Sequence, residues 1–170
     1  MNLRRDLLAA FSSLMALVVM ESFTGFTLEA LKAKWARHPE LLAMLPALMD
    51  FRGNVALAHS ARMTTAEHLG DSRRVMMGSA AALLTSFFVP PIIALVTHWS
   101  YGGSLSTLVA VALLTVLSVA AAVTPATIGV VRIAVRWGVD PDRVAPAVTT
   151  ALSDVLTVVL LFTLAEVIFR

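Results

Sequence analysis

The chain has 170 residues, of which 58% are hydrophobic and 14% charged, with a formal net charge of +2. A soluble domain carries about 25% charged residues, so this composition, with a mean hydropathy of +0.84, excludes a water-soluble globule and describes an integral membrane protein. The lack of cysteine removes disulfides, thiolate metal sites and thiol chemistry, and Lys and Arg are scattered, without the one-sided clustering of a nucleic-acid surface.

A spanning helix needs roughly 20 residues, which leaves room for five spans with short connections and none for a separate soluble domain. The expected fold is all-α integral membrane, one domain over residues 1–170. Segment one runs from about Leu7 to Leu28, interrupted by Glu21 and Gly25. Its basic start and apolar stretch have the look of a signal peptide, but no small-residue cleavage site before a soluble domain follows. A polar loop, Lys32 to Glu40, leads into segment two, about Leu41 to Ala61. This is the least apolar stretch, with Pro46, Asp50, Arg52, Gly53 and Asn54, and is expected to lie against protein or a wet cavity because lipid cannot satisfy exposed polar groups.

The mixed charges of Arg62 to Arg74 predict a short surface helix. Segment three covers about Val75 to Thr97, where Pro90-Pro91 is expected to kink or end the regular part. After the loop His98 to Ser104, segment four runs from Leu105 to about Val131, with a bend expected at Pro125 and Gly129. The turn Trp137 to Arg143 contains Asp140-Pro141, which suits a helix start with proline in its first turn, and segment five continues to the C-terminus.

The positive-inside rule orients these spans. With the N-terminus inside, the cytoplasmic side holds Arg4, Arg5, Arg62, Arg73, Arg74, Arg132, Arg136 and Arg143, against Lys32, Lys34, Arg37 and Arg170 outside. Eight against four favours N-in, C-out in a plasma membrane. Trp35, Trp99, Tyr101 and Trp137 fall near the connections, as an interfacial aromatic belt would.

Asp154 is the lone acid within the apolar run from Pro146 to Phe162, with Thr150 four residues before it and Thr157 three after. A carboxylate near the middle of a spanning helix costs about 2.5–3.5 kcal/mol on insertion scales, so such residues line ion paths or meet a partner. The stretch Pro46 to Asn54 resembles Pro146 to Asp154: each begins Pro-Ala and carries Asn or Asp eight positions after the proline. Counting roughly 1.5 Å per residue in a core about 30 Å thick puts Asn54 about 20 Å down from one surface and Asp154 about 12 Å up from the other. The two land at similar heights, compatible with one shared site.

Carboxylate, amide, hydroxyl and carbonyl oxygens are hard ligands that suit Mg²⁺, Ca²⁺ or Mn²⁺. Magnesium keeps much of its water and is held through one or two carboxylates, so one Asp per chain is too few for a dry cage while two from a symmetric pair would hold a hydrated ion. Gly53 lets backbone approach closely or leaves a carbonyl free. Asp50, four residues before Asn54, shares its helical face, as an auxiliary ligand, a local partner of Arg52 or a vestibule charge. Glu21 is a second intramembrane acid, open to a cation or proton role or to pairing with Arg52 or a hydroxyl. His59 and Arg62 are expected to anchor the inner interface. The four histidines are dispersed with no HExxH spacing, and no GxxxxGK[ST] loop allows ATP hydrolysis.

The stretches LPALMDFRGNVALAHSARMTTAEHLG, from Leu45 to Gly70, and APAVTTALSDVLTVVLLF, from Ala145 to Phe162, resemble the membrane domain of MgtE-type magnesium channels, in particular the branch of the magnesium solute carriers and their archaeal relatives. The resemblance implies five helices per chain, a homodimer with the pore between its chains, and divalent-cation transport. It implies that Asp154 is the pore carboxylate, that Gly53 and Asn54 match the Gly-Asn of the second segment, and that backbone near Thr150 supplies a carbonyl to hydrated metal. Asp50 and Ala56 stand where that branch tends to have Gly and Glu, which redistributes charge along segment two. The bacterial channels also carry cytoplasmic magnesium-sensing domains; here a sensor is expected in the loops, the termini or a partner.

The function expected is a non-enzymatic divalent-cation channel or transporter, for Mg²⁺ first and Mn²⁺ or other divalent ions next, with no organic cofactor and with the bilayer and a second copy as partners. The alternative is a non-transporting membrane subunit whose buried polar residues hold a helical complex together. An intramembrane enzyme would need a nucleophile with its base or a metal-hydrolase triad, and none is evident.

Overall fold

The computed structural model describes the backbone of residues 3–36 and 38–169, and their side chains apart from those of 3–10, 13, 16 and 34. Of the charges used for orientation, Arg4, Arg5, Lys34, Arg37 and Arg170 therefore lie outside the described side chains. Five helices follow one another: α1 Leu3–Trp35, α2 Pro39–Leu69, α3 Ser72–Tyr101, α4 Leu105–Arg136 and α5 Pro141–Ile168. Among the described residues, α2 to α5 are long and apolar enough to cross a membrane.

The chain turns back after each helix. Trp35 near the end of α1 stacks on Phe162 near the end of α5 at 5.6 Å, Gly103 after α3 meets Glu40 at the start of α2, and Glu67 late in α2 pairs with Arg132 late in α4 at 3.5 Å. Helices α1, α3 and α5 thus run one way and α2 and α4 the other. α2 and α4 form the middle of the bundle; α3 packs on one side of them and α5 on the other, with α1 laid against α5. The core is aliphatic at both ends, around Leu41, Leu45, Leu108 and Leu161 at one and Met63, Val131 and Ala145 at the other. Its middle is thinner, built on Ala56, Val119 and Val123.

The outward faces are apolar. Phe23 and Phe26 of α1 and Leu84, Phe87, Phe88 and Ile92 of α3 are exposed on the bundle surface, a coat suited to lipid. Hydroxyls within the helices bond back along their own backbone: Thr85 donates to the Ala81 carbonyl, Ser86 to Ala82, Thr127 to Val123 and Thr157 to Ser153, at 2.6–2.8 Å. Such back-bonding lets polar side chains sit in an apolar helix without an open donor.

Several expectations are corrected. Arg62 to Arg74 is no separate surface helix: α2 continues to Leu69, turns at Gly70 and Asp71, and α3 begins at Ser72. Pro90 and Pro91 do not end segment three, because α3 runs on to Tyr101. The predicted start at Asp140-Pro141 is present, the Asp140 carboxylate accepting the Asp142 backbone N–H at 3.1 Å. Trp99, Tyr101 and Trp137 are exposed near helix ends, but Trp35 is buried in the core against Phe162, so it packs rather than joining a surface belt.

Candidate cation site

The site begins with a missing side chain. Gly53 is buried on the face of α2 that meets α5, where a Cβ would stand 3.3 Å from the Thr150 methyl and 3.9 Å from Asp154 Oδ1. A larger residue would hold the helices apart; glycine brings the backbone of α2 against the carboxylate of α5. Thr150 and Asp154, one turn apart, present themselves together to that contact.

Asp154 is half-buried, and its Oδ1 is buried without a hydrogen-bond partner among the described residues. Two other acids lie within electrostatic reach of it, Glu21 of α1 and Asp50 of α2. Three helices therefore contribute acids to one neighbourhood. Carboxylates so placed repel unless a proton or a cation lies among them. Among the described residues no three His, Asp or Glu side chains gather closely enough to hold a metal ion.

The five residues singled out from sequence do not form one cluster. Gly53, Thr150 and Asp154 converge, whereas Asp50 and Asn54 are exposed and line a groove of about 520 Å³ between α2 and α3, shared with His59, Arg62 and Thr85. Asn54 follows Gly53 in sequence but points about 100° around the helix, so its amide opens on the neighbouring face. Thr157 is fully buried and its hydroxyl is committed to the Ser153 carbonyl, so it offers no free donor beside Asp154.

Two interior groups were misread from sequence. Arg52 is buried and pairs with neither Asp50 nor Glu21; its Nη1 donates to the Ser86 hydroxyl of α3 at 2.8 Å. His59 is not an interfacial anchor but is buried between α2, α3 and α4, facing the backbone of Gly78 and Thr124. The seven-residue interval between Arg52 and His59 places both on one helical face, and that interval was the available signal for a shared interior stripe. Arg62 is exposed as expected.

Long apolar helices with acids from three elements near a glycine-thinned contact describe a membrane protein with a charged interior. A family model described as MgtE, divalent cation transporter, matches residues 45–164, more than half of the chain, and the chain belongs to that family. This is a family of transporters rather than enzymes, and its cargo is a divalent cation. Neither a curated protein nor a solved structure matches the chain.

Proposed function

We propose that the chain is a Mg²⁺ channel or transporter of the plasma membrane that works as a homodimer, with the N-terminus in the cytoplasm and α1 as a fifth span. Asp154 draws hydrated cations into a path along α2 and α5, with the Thr150 backbone, Gly53 and Asn54 beside it and Asp50 toward the entrance. The observation that carries the reading is the carboxylate of Asp154, with an oxygen unpartnered among the described residues, set against Gly53 and within electrostatic reach of Glu21 and Asp50.

Asp50 and Asn54 support the second copy. Both are exposed on a helix of spanning length, and an acid facing hydrocarbon costs about 2.5–3.5 kcal/mol. A second chain enclosing a water-filled path against this face removes that cost. A divalent ion entering a negative interior gains roughly 4.6 kcal/mol per 100 mV, twice the single-charge value, so influx needs a selective path and no fuel.

The test is flux into liposomes. Wild-type protein passes Mg²⁺ down its gradient, and Asp154→Asn and Asp154→Ala reduce the rate at least tenfold while reconstituting equally well. Unchanged flux in both variants removes the proposed role of Asp154. If wild-type protein carries no divalent ion and its melting temperature is insensitive to Mg²⁺, the alternative of a structural membrane subunit takes over.

A further inference from the structure

We propose that the pocket at the α2–α3 turn binds the headgroup phosphate of an acidic membrane phospholipid. The pocket encloses about 790 Å³ between the last turns of α2 and the first turns of α3. Ligand sites for small molecules occupy about 300–1,000 Å³, so a headgroup with the start of its acyl chains fits.

Three guanidiniums line it, those of Arg62, Arg73 and Arg74, against one carboxylate, Asp71. That carboxylate is already engaged. Its Oδ1 accepts the backbone N–H groups of Arg73 and Arg74 at 3.0 and 3.2 Å, and its Oδ2 accepts Arg74 Nε at 3.0 Å. Arg62 and Arg73 enter no ion pair among the described residues and are exposed. The pocket therefore offers two uncommitted guanidiniums, each able to give a phosphate two parallel N–H donors.

Location selects the source of the anion. The pocket joins two helices long and apolar enough to span, so it sits at a membrane surface, the level of lipid phosphates. Met77, Gly78 and Ala81, one turn and more into α3, also line it, and this apolar surface, with Met77 exposed, meets an acyl chain but offers nothing to free phosphate. Acidic lipids are held in this way by basic recesses between spanning helices. The pocket adjoins the groove of Asp50 and Asn54, since Arg62 and Ala81 line both, and lipid retention is read without ion flux, so a failure of the cation path and a failure of this site are told apart.

The experiment uses the full chain in neutral detergent, titrated with phosphatidylglycerol, phosphatidylcholine or inorganic phosphate, and reads lipid retained in native mass spectra and the unfolding midpoint. Phosphatidylglycerol is expected to be retained and to raise the midpoint, with phosphatidylcholine and phosphate doing neither. Arg62→Gln with Arg73→Gln weakens retention by roughly tenfold or more, Arg62→Lys with Arg73→Lys keeps much of it, and Lys32→Gln at the opposite end of the bundle changes nothing. In lipid-free detergent the double Gln variant melts with the wild type; if it does not, Arg73→Gln alone, on an exposed residue, carries the comparison. Equal retention of phosphatidylglycerol by wild type and Gln variants overturns the site, as does retention of phosphatidylcholine to the same extent. Stabilisation by inorganic phosphate equal to that by the lipid overturns the assignment to a membrane component.

Discussion

At the scale of single residues, the fold spends its smallest side chain where two helices must touch beside an acid. Gly53→Val places branches into the space held by the Thr150 methyl, only 3.3 Å from even a Cβ; overpacking of this kind costs about 1–3 kcal/mol. Thr150→Ser removes that methyl and should recover part of the loss, so a double-mutant cycle on thermal unfolding gives a coupling of about 0.5 kcal/mol or more. Arg52 makes the opposite case. Its buried guanidinium has one Ser86 hydroxyl as acceptor and an Nε without a partner. Ser86→Ala should cost about 1–3 kcal/mol by leaving buried donors open, whereas Arg52→Met, which removes charge and donors together, should melt no lower than wild type. Differential scanning fluorimetry decides both, and a large fall for Arg52→Met would reveal a partner for the charge. The lone acid in an apolar run made Asp154 legible from sequence. The partner of Arg52 was not, because Ser86 lies 34 residues away and the acids Asp50 and Glu21 offered the more obvious pairing.

At the scale of elements, caps and packing decide where the helices stop. Gly70 takes φ +63° after α2, and its N–H bonds to the Ala66 and Glu67 carbonyls; Asp71 then caps α3. Gly70→Ala forces a side chain into the left-handed region and should cost about 1 kcal/mol, Gly70→Asn less, and Asp71→Ala about 0.5–2 kcal/mol through the lost cap. Unfolding midpoints in one detergent check the order. The mixed charges from Arg62 to Arg74 masked this turn in sequence: they read as a surface element, whereas Met63, Thr64 and Ala66 are buried and hold the last turns of α2 in the bundle. Prolines 90 and 91 misled in the other direction. A proline removes one N–H, but in a packed apolar bundle neighbouring turns carry the helix through it.

At the scale of the whole molecule, the proposed dimer and orientation give the sharpest tests, since the chain has no cysteine of its own. Asn54→Cys, on the exposed face of α2, should form a disulfide-linked pair of chains in membranes under mild oxidation, and a cysteine on the lipid-facing side of α3, at Phe88, should not. Ser104→Cys and Asp142→Cys, exposed at opposite ends of the bundle, should label with a membrane-impermeant thiol reagent from outside and inside respectively. Reversed labelling inverts the orientation while leaving the cation path intact, because alternating helix directions place Asp154 beside Gly53 in either case.

Composition by itself determined the solvent of this protein, its helical class and its five segments, because an apolar chain in lipid can satisfy its backbone only within helices or closed barrels. It also isolated Asp154 and matched its height to that of the Gly53-Asn54 pair, since depth along a helix follows from counting residues. Direction around each helix was decided only when five of them packed. That packing turned Gly53 toward Asp154 while Asn54 opened on the next groove, buried Arg52 and His59 in the interior, and brought Glu21 from the first helix to the acid of the last. The reason is geometric: each residue advances the face by about 100°, so a neighbour in sequence looks elsewhere, and only long-range contacts choose which face meets which helix.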